Sequence, residues 1–138
     1  MSRIVVVDAS VAVKWFMTEN EAGVDEAMRL IEDHLDSTLA LVSIPHMRTE
    51  VLNTLWRRHV TLERTHQALD ALDDLGLAWL EPDNNLVASA AEVAMSHNLT
   101  AYDSLYVAAA LALDAELATS DRAIIASGAC EMLPIGPG

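Results

Sequence analysis

Short apolar runs alternate along the chain with longer stretches in which apolar residues recur every three or four positions. Residues 4–7, IVVV, form a continuous and β-branched run, which predicts a fully buried strand. Residues 39–43, 77–80 and 117–119 are predicted as further strands, and residues 132–135 as a last edge strand. Strands of this kind, separated by helical segments, indicate an α/β domain around a parallel sheet.

The helical periodicity predicts helices over residues 10–17, 21–35, 46–59, 61–76, 86–98, 103–113 and 121–127. Ser10 and Thr61 are predicted to cap two of them, and Gly76 and Gly128 are predicted to end two. The segment 103–113 is apolar on all sides, so most of its surface is predicted to be buried. No linker or repeat interrupts this order, and residues 1–138 are predicted to form a single domain.

Composition and charge narrow the functional classes. The chain is 52% hydrophobic, which suffices for a packed core, and its net charge of −13 argues against binding nucleic acid through a broad basic face. A nuclease stays compatible with this charge, because bound divalent ions and a local group of arginines can reverse it at a site. The single cysteine, Cys130, excludes an internal disulfide framework, and a cytoplasmic protein is expected. Neither a signal peptide nor a membrane-spanning run is expected.

Four acidic residues occupy positions where a carboxylate is costly unless it has a function. They are Asp8 and Asp121, which follow predicted strands, Asp103, which opens the most apolar helix, and Glu50, which lies within an amphipathic helix. The carboxyl ends of parallel strands meet at one edge of a sheet, so Asp8 and Asp121 are predicted to share a rim. Two unit charges about 4 Å apart repel by roughly 4 kcal/mol at an effective dielectric near 20. The four acids therefore predict a site for a hard divalent cation and metal-assisted phosphodiester cleavage.

These acids also have purely structural interpretations. Asp103 and Asp121 stand at predicted helix starts, where an aspartate commonly caps free N–H groups. Glu50 lies at the margin of an apolar face, where most glutamates are simply solvated. Asp8 has no structural duty if Ser10 caps the following helix. The interpretation as one site therefore depends on all four carboxylates converging.

Neighbouring polar residues are the candidates for supporting roles. Ser10, Thr119 and Ser120 lie beside the acids and are predicted to orient carboxylates as hydrogen-bond donors, with helix capping as the alternative for Ser10 and Ser120. Arg48 and Arg122 are predicted to reach a substrate phosphate. Arg57 and Arg58 are instead expected on a solvated helix face, most of the five histidines at the surface, and the tryptophans in the core or an interface.

Four segments of the chain resemble the motifs of PIN domains. Residues 5–16, VVVDASVAVKWF, resemble the opening of such a domain. Residues 102–110, YDSLYVAAA, resemble its third acidic motif, and residues 119–122, TSDR, its fourth. Glu50, within RTEVLN at residues 48–53, matches the helical glutamate. The resemblance covers essentially the whole chain in the right order and is best to the toxin branch of the family, from VapBC toxin–antitoxin pairs.

The resemblance implies a three-layer α/β/α PIN-like fold and a small cytoplasmic endoribonuclease that depends on Mg²⁺ or Mn²⁺. It also implies a homodimer held inactive by an antitoxin, whose basic side chain reaches into the acid cluster. Oxygen-only ligands independently favour Mg²⁺ or Mn²⁺. Asp8 and Asp103 are predicted as the main direct ligands, with Asp121 and Glu50 binding through water or completing a second metal position.

Two other functional classes stay open at this point. The first is a Mg²⁺-binding phosphotransfer or phosphatase-like domain, which also places an aspartate after the first strand. Such a phosphatase would need a second aspartate two residues later, where this chain has Ser10, and a receiver domain would need a late lysine, whereas the only lysine is Lys14. The second is a PIN-like module that only binds a partner.

Overall fold

The computed structural model of the protein describes residues 3–136, and these form one parallel sheet with helices packed around it. The strands are β1 (Arg3–Val7), β2 (Leu39–Ser43), β3 (Ala78–Trp79), β4 (Glu116–Thr119) and β5 (Met132–Pro134). Their order in the sheet is β3-β2-β1-β4-β5, and every neighbouring pair is parallel. The predicted α/β class and the three-layer α/β/α arrangement are therefore confirmed.

The helices follow the order predicted from periodicity. They are α1 (Ala9–Ala12), α2 (Val24–Leu35), α3 (His46–Arg57), α4 (Leu62–Asp74), α5 (Asn84–His97), α6 (Ala101–Ala112) and α7 (Arg122–Ser127). A short 3₁₀ turn, Val13–Trp15, continues α1. None of the helices within residues 3–136 is long and apolar enough to span a bilayer.

Burial explains why these elements form. Val5, Val6 and Val7 are fully buried, as expected for a β-branched strand with helices on both faces of its sheet, whereas Ile4, predicted to be buried with them, is 37% exposed near the start of the strand. Helix α6 is buried from Tyr106 to Ala110, which confirms the prediction for the most apolar helix. Both edge strands are short, and β5 ends in Pro134, which limits edge-to-edge pairing with other chains.

Several predicted boundaries were wrong because local caps move them. The first helix begins at Ala9 rather than Ser10, since the Asp8 side chain caps it by accepting the Val11 N–H. Helix α2 begins at Val24 rather than at position 21, because Gly23 adopts a left-handed conformation with φ of 76° just before it. The strand predicted over 77–80 contracts to two residues.

Candidate active site

The site lies where β1 and β4 end side by side. Val7 is paired with Ala118, and the Asp8 N–H donates to the Ala118 carbonyl at 3.3 Å. Asp8 is therefore the first residue beyond β1, and Asp121 lies two residues beyond the end of β4. The parallel register thus brings the segments that follow β1 and β4 to one rim of the sheet.

Asp8 is held by three donors. Its Oδ1 accepts from the Ser10 hydroxyl at 2.6 Å and from the Val11 N–H at 3.3 Å, while its Oδ2 accepts from the Thr119 hydroxyl at 2.5 Å. Burial raises its pKa to about 6 although these hydrogen bonds act to lower it, and the charge of Asp121 raises it further. The carboxylate is thus oriented, nearly inaccessible to water and unfavourably charged when no cation is near.

The polar residues at the end of β4 join Asp8 to Asp121. Thr119 Oγ1 accepts the Asp121 N–H at 3.0 Å, and Ser10 Oγ accepts the Ser120 N–H at 2.9 Å. The Ser120 hydroxyl, however, donates to the Ile135 carbonyl at 2.5 Å. The Ser120 N–H therefore takes part in this network, whereas its side chain hydrogen-bonds to the segment after β5.

The cap assignments differ from the sequence prediction. Asp8 and Asp121 are themselves the N-caps of α1 and α7, and the Asp121 carboxylate accepts the Ile124 N–H at 3.0 Å. The interpretation of Ser10 and Ser120 as caps was therefore wrong. Capping uses Oδ1 of Asp121, so a carboxylate that caps a helix still has a second oxygen for other ligands.

Asp103 does not cap α6, although its position in the sequence suggested that role. Thr100 caps α6 by accepting the Asp103 N–H at 3.2 Å, so the Asp103 carboxylate is not the cap. Burial raises the pKa of Asp103, and the charges of Asp121 and Glu50 raise it further. A half-buried carboxylate destabilised by two other carboxylates is the electrostatic signature of an anionic pocket.

Glu50 is anchored by aromatic neighbours that were not predicted. The Tyr106 hydroxyl donates to Glu50 Oε1 at 2.6 Å, and His46 Nε2 lies 3.1 Å from the same oxygen. Burial acts to raise the pKa of Glu50, but His46 and Tyr106 together lower it below its ordinary value. The His46 ring lies 5.0 Å from that of Tyr102 and 4.9 Å from that of Tyr106, centroid to centroid. Glu50 is thus a positioned carboxylate rather than a solvated one.

The placement of His46 could have been found from the sequence. His46 precedes Glu50 by four residues at the start of a helix, a spacing that brings two side chains together on one face. The expectation that most histidines lie at the surface did not single out this pair.

A cleft of about 720 Å³ opens beside these acids, and Ser10, Lys14, Glu50, Tyr102 and Asp121 are among its lining residues. Asp8 and Asp103 do not themselves line it but adjoin Ser10 and Tyr102. Arg57 and Arg58 are exposed to solvent, as predicted, but both line this cleft, which was not predicted.

The two arginines predicted to contact phosphate lie elsewhere. Arg48 reaches Asp73 Oδ1 at 3.3 Å and stacks over the Trp79 ring, with its guanidinium carbon 4.7 Å from the ring centroid. These two partners direct Arg48 away from the cleft. Arg122 is exposed at the first position of α7 and is not among the lining residues either.

The donor set suits a hard cation bound in part by water. Among residues 3–136, no group of three or more His, Cys, Asp or Glu side chains is arranged to hold a metal ion by itself. Mg²⁺ does not need one, since it is usually held by one or two carboxylates together with waters and phosphate oxygens. Asp121 raises the pKa of both Asp8 and Asp103, so carboxylate pairs that a divalent ion would relieve are present.

Comparisons with solved structures agree with this architecture. VapBC2 from Rickettsia felis, bound to a DNA fragment from their promoter, superposes with a TM-score of 0.74 at 12% identity, covering 95% of this chain and 98% of that one. VapC20 from Mycobacterium tuberculosis, a sarcin–ricin loop cleaving toxin, gives 0.67 at 18% identity, with 90% and 95% covered. PAE2754 from Pyrobaculum aerophilum gives 0.66 at 20% identity, with 96% and 92% covered. At such identities the similarity shows a shared fold.

Sequence comparison defines the family. No curated protein sequence matches the chain significantly. The family model described as PIN domain matches residues 5–127, which include most of β1, all four acids and the helices α1 to α7. With this match over most of its length, and with the acids gathered at one rim of the sheet, the chain belongs to the PIN domain family.

Proposed function

We propose that this protein is a divalent-metal-dependent endoribonuclease that acts as the toxin of a type II toxin–antitoxin pair. The observation that carries this proposal is the electrostatic coupling of carboxylates from four separate elements. Burial raises the pKa of Asp8 and of Asp103, and the charge of Asp121 raises both further, as does Glu50 for Asp103. Acids that destabilise one another are retained where a bound cation compensates the repulsion.

The side chains divide into ligands and residues that position them. Asp8 and Asp103 are proposed to hold Mg²⁺ or Mn²⁺ directly, with Asp121 and Glu50 acting through water or at a second position. Ser10 and Thr119 fix the rotamer of Asp8 through their hydroxyls. The ion would supply a water of lowered pKa and would offset charge on the scissile phosphate.

Glu50 is the best placed of the four to hold a water proton. Its pKa is below the ordinary value, so it is ionised at neutral pH, and it lines the cleft. The Tyr106 hydroxyl and His46 occupy Oε1, which leaves Oε2 to face solvent or substrate. We propose hydrolysis of the RNA chain that leaves 5′-phosphate and 3′-hydroxyl ends.

RNA as the substrate is supported by family and fold together. The chain belongs to the PIN domain family, and one of its structural neighbours is described as a toxin that cleaves the sarcin–ricin loop. The similarity to that toxin, at 18% identity, supports RNA as the class of substrate. It does not identify the same RNA as the target of this protein.

A cleavage assay tests the enzymatic proposal. Single-stranded RNA incubated with the protein and Mg²⁺ or Mn²⁺ is expected to be cut, and EDTA or Asp8→Asn is expected to stop the reaction. Asp70→Asn makes the same chemical change on the exposed face of α4 and should leave cleavage unaltered. RNA that stays intact in every reaction would contradict the proposal and favour a binding module. Release of inorganic phosphate from a phosphomonoester alone would favour a phosphatase.

The partner is proposed to be a small antitoxin with a basic inhibitory segment. The net charge of −13 and the acidic rim both favour a basic partner. Co-expression with the protein encoded next to this one should yield a complex with no ribonuclease activity. In that complex, replacing the partner's basic residues should restore cleavage. A neighbouring protein that leaves activity unchanged at saturation would contradict the toxin assignment.

A further inference from the structure

A second set of charges lines the cleft that opens beside the acids. Lys14, Arg57 and Arg58 all face it, although the whole chain has only eight lysines and arginines. Arg57 lies seven residues after Glu50 on α3, which places it about 10 Å further along the helix axis. On the opposite wall, Lys14 follows Ser10 by four residues, or about one turn. Each wall thus carries a residue of the acid site and, one or two turns later, a cation.

Glu21 neutralises two of these cations at once. Its Oε1 lies 3.2 Å from Lys14 Nζ, and its Oε2 lies 3.2 Å from an Arg58 guanidinium nitrogen. The side chain of Lys14 is only 7% exposed and that of Glu21 only 16%, so this contact is largely shielded from water. A buried ammonium group requires an anion, and Glu21 provides it.

The geometry resembles the way in which a phosphate is bound. Two oxygens of one anion bridge a lysine and an arginine, which are the side chains that proteins use for phosphate. Glu21 lies in residues 16–23, a segment without helix or strand between the 3₁₀ turn and α2. Its carboxylate is therefore placed by the ion pairs it makes and not by regular backbone structure.

We propose that Lys14 and Arg58 form a subsite for a backbone phosphate of the RNA that flanks the scissile bond, and that Glu21 occupies this subsite in the free protein. The inference rests on the proposed ribonuclease function. Glu21 is then a competing anion, which the substrate displaces. RNA binding is consequently weaker, and less dependent on salt, than the cations alone would make it.

Four single substitutions test this inference, two in the cleft and two in a matched ion pair. The cleft variants are Arg58→Gln and Glu21→Gln. The controls are Arg3→Gln and Glu116→Gln, which remove the same charges from another ion pair. This pair lies at the amino ends of β1 and β4, away from the acids at their carboxyl ends. All are made in an Asp103→Asn background, so that the RNA stays intact in Mg²⁺. Affinity for a labelled single-stranded RNA is measured by fluorescence anisotropy at several salt concentrations.

The two cleft variants are expected to change affinity in opposite directions. Arg58→Gln should weaken binding severalfold and reduce the slope of log K against log salt by about 0.7, the value for one phosphate contact on a single strand. Glu21→Gln should tighten binding severalfold and increase that slope by a similar amount. Both controls should bind like the parent.

The inference is overturned if Arg58→Gln binds like the parent, or if Glu21→Gln weakens binding as Arg58→Gln does, since Glu21 would then only support Lys14. If Glu21→Gln does not fold because Lys14 loses its partner, the comparison of Arg58→Gln with Arg3→Gln decides alone. A parent protein that binds no RNA also overturns the inference.

The assay separates this inference from the proposed function. Wild-type protein that cleaves RNA, together with cleft variants indistinguishable from their controls, removes the phosphate subsite and leaves the ribonuclease intact. Opposite shifts in the two cleft variants, together with wild-type protein that never cleaves RNA, support an RNA-binding cleft and remove the nuclease.

Discussion

At the scale of single residues, the four carboxylates differ in how they are held. Asp8 is fixed by hydroxyl and backbone donors, and Asp121 caps a helix with one oxygen. Glu50 is anchored by Tyr106 and His46, whereas Asp103 is destabilised by its acidic neighbours. Removing each charge should therefore have a distinct effect on stability and on activity.

Asp103→Asn should abolish RNA cleavage and leave the fold equally or more stable. The substitution removes a negative charge that two other carboxylates disfavour, so without metal it should not lower the free energy of unfolding. Urea denaturation and the cleavage assay, each with Asp70→Asn as the control, measure both effects. Wild-type turnover by the variant would remove Asp103 from the mechanism.

Asp8→Asn should stabilise the metal-free protein in a pH-dependent way. The folded-state pKa of about 6 exceeds the ordinary value of 3.8, so the unfolded chain loses its proton first. Wild-type stability should fall as the pH rises from about 4 to about 6 and stay lower above that range, by up to about 3 kcal/mol.

The variant lacks this charge and should not show that fall. In EDTA at pH 7.5 its melting temperature should therefore exceed that of the wild type, and the difference should shrink towards pH 4. A variant that melts below the wild type at pH 7.5 and equals it at pH 4 would contradict this prediction.

Sequence reasoning at this scale succeeded where one rule of topology sufficed. The tendency of ligands to bind beyond the carboxyl ends of parallel strands placed Asp8 and Asp121 correctly. The prediction for Arg48 failed, because periodicity assigns a residue to a helix face but does not show which partners compete for its side chain. Here Asp73 and Trp79 hold Arg48 outside the cleft.

At the scale of elements, local caps decide where the helices that carry the functional side chains begin. Thr100 caps α6 and thereby sets the position of Asp103 in its first turn. Apolar periodicity predicted the seven helices found within residues 3–136, but not this boundary, which depends on one hydroxyl. The same holds for α1, where the acid after β1 replaces the expected serine as cap.

Thr100→Ala should therefore cost both stability and activity. Loss of an N-cap threonine lowers the free energy of unfolding by about 1 kcal/mol. The first turn of α6, which loses this hydrogen bond, carries Asp103. Thr61→Ala removes the equivalent cap of α4, which accepts the Arg64 N–H at 3.2 Å, and should cost similar stability with no loss of cleavage. Thr100→Ser should retain both properties. Equal activity of the two alanine variants would show that this cap does not position Asp103.

At the scale of the whole molecule, α3 has two different faces. Met47, Val51 and Leu55 are buried in the core, while Trp56 is 71% exposed and Leu52 is 43% exposed. Of the two environments expected for the tryptophans, the core and an interface, the exposure of Trp56 excludes the core. Two exposed apolar side chains four residues apart form a patch suited to a second protein surface.

We predict that this patch lies in the homodimer interface, so that Trp56→Glu yields a monomer. Sedimentation velocity of the wild type and the variant measures the association state. Met95→Glu, at an 88% exposed position on α5, introduces the same charge and should leave the dimer intact. A wild-type monomer, or a variant that stays dimeric, would contradict the prediction.

The distance along the chain between the acids affects when activity can first appear during translation. The first carboxylate is at position 8 and the last at position 121, in a chain of 138 residues. The strand bearing the first acid stands at the centre of the sheet, and residues 8–115 separate it along the chain from its neighbour β4. A growing or prematurely terminated polypeptide that ends before position 121 therefore lacks the fourth carboxylate, and the proposed metal site cannot assemble in it.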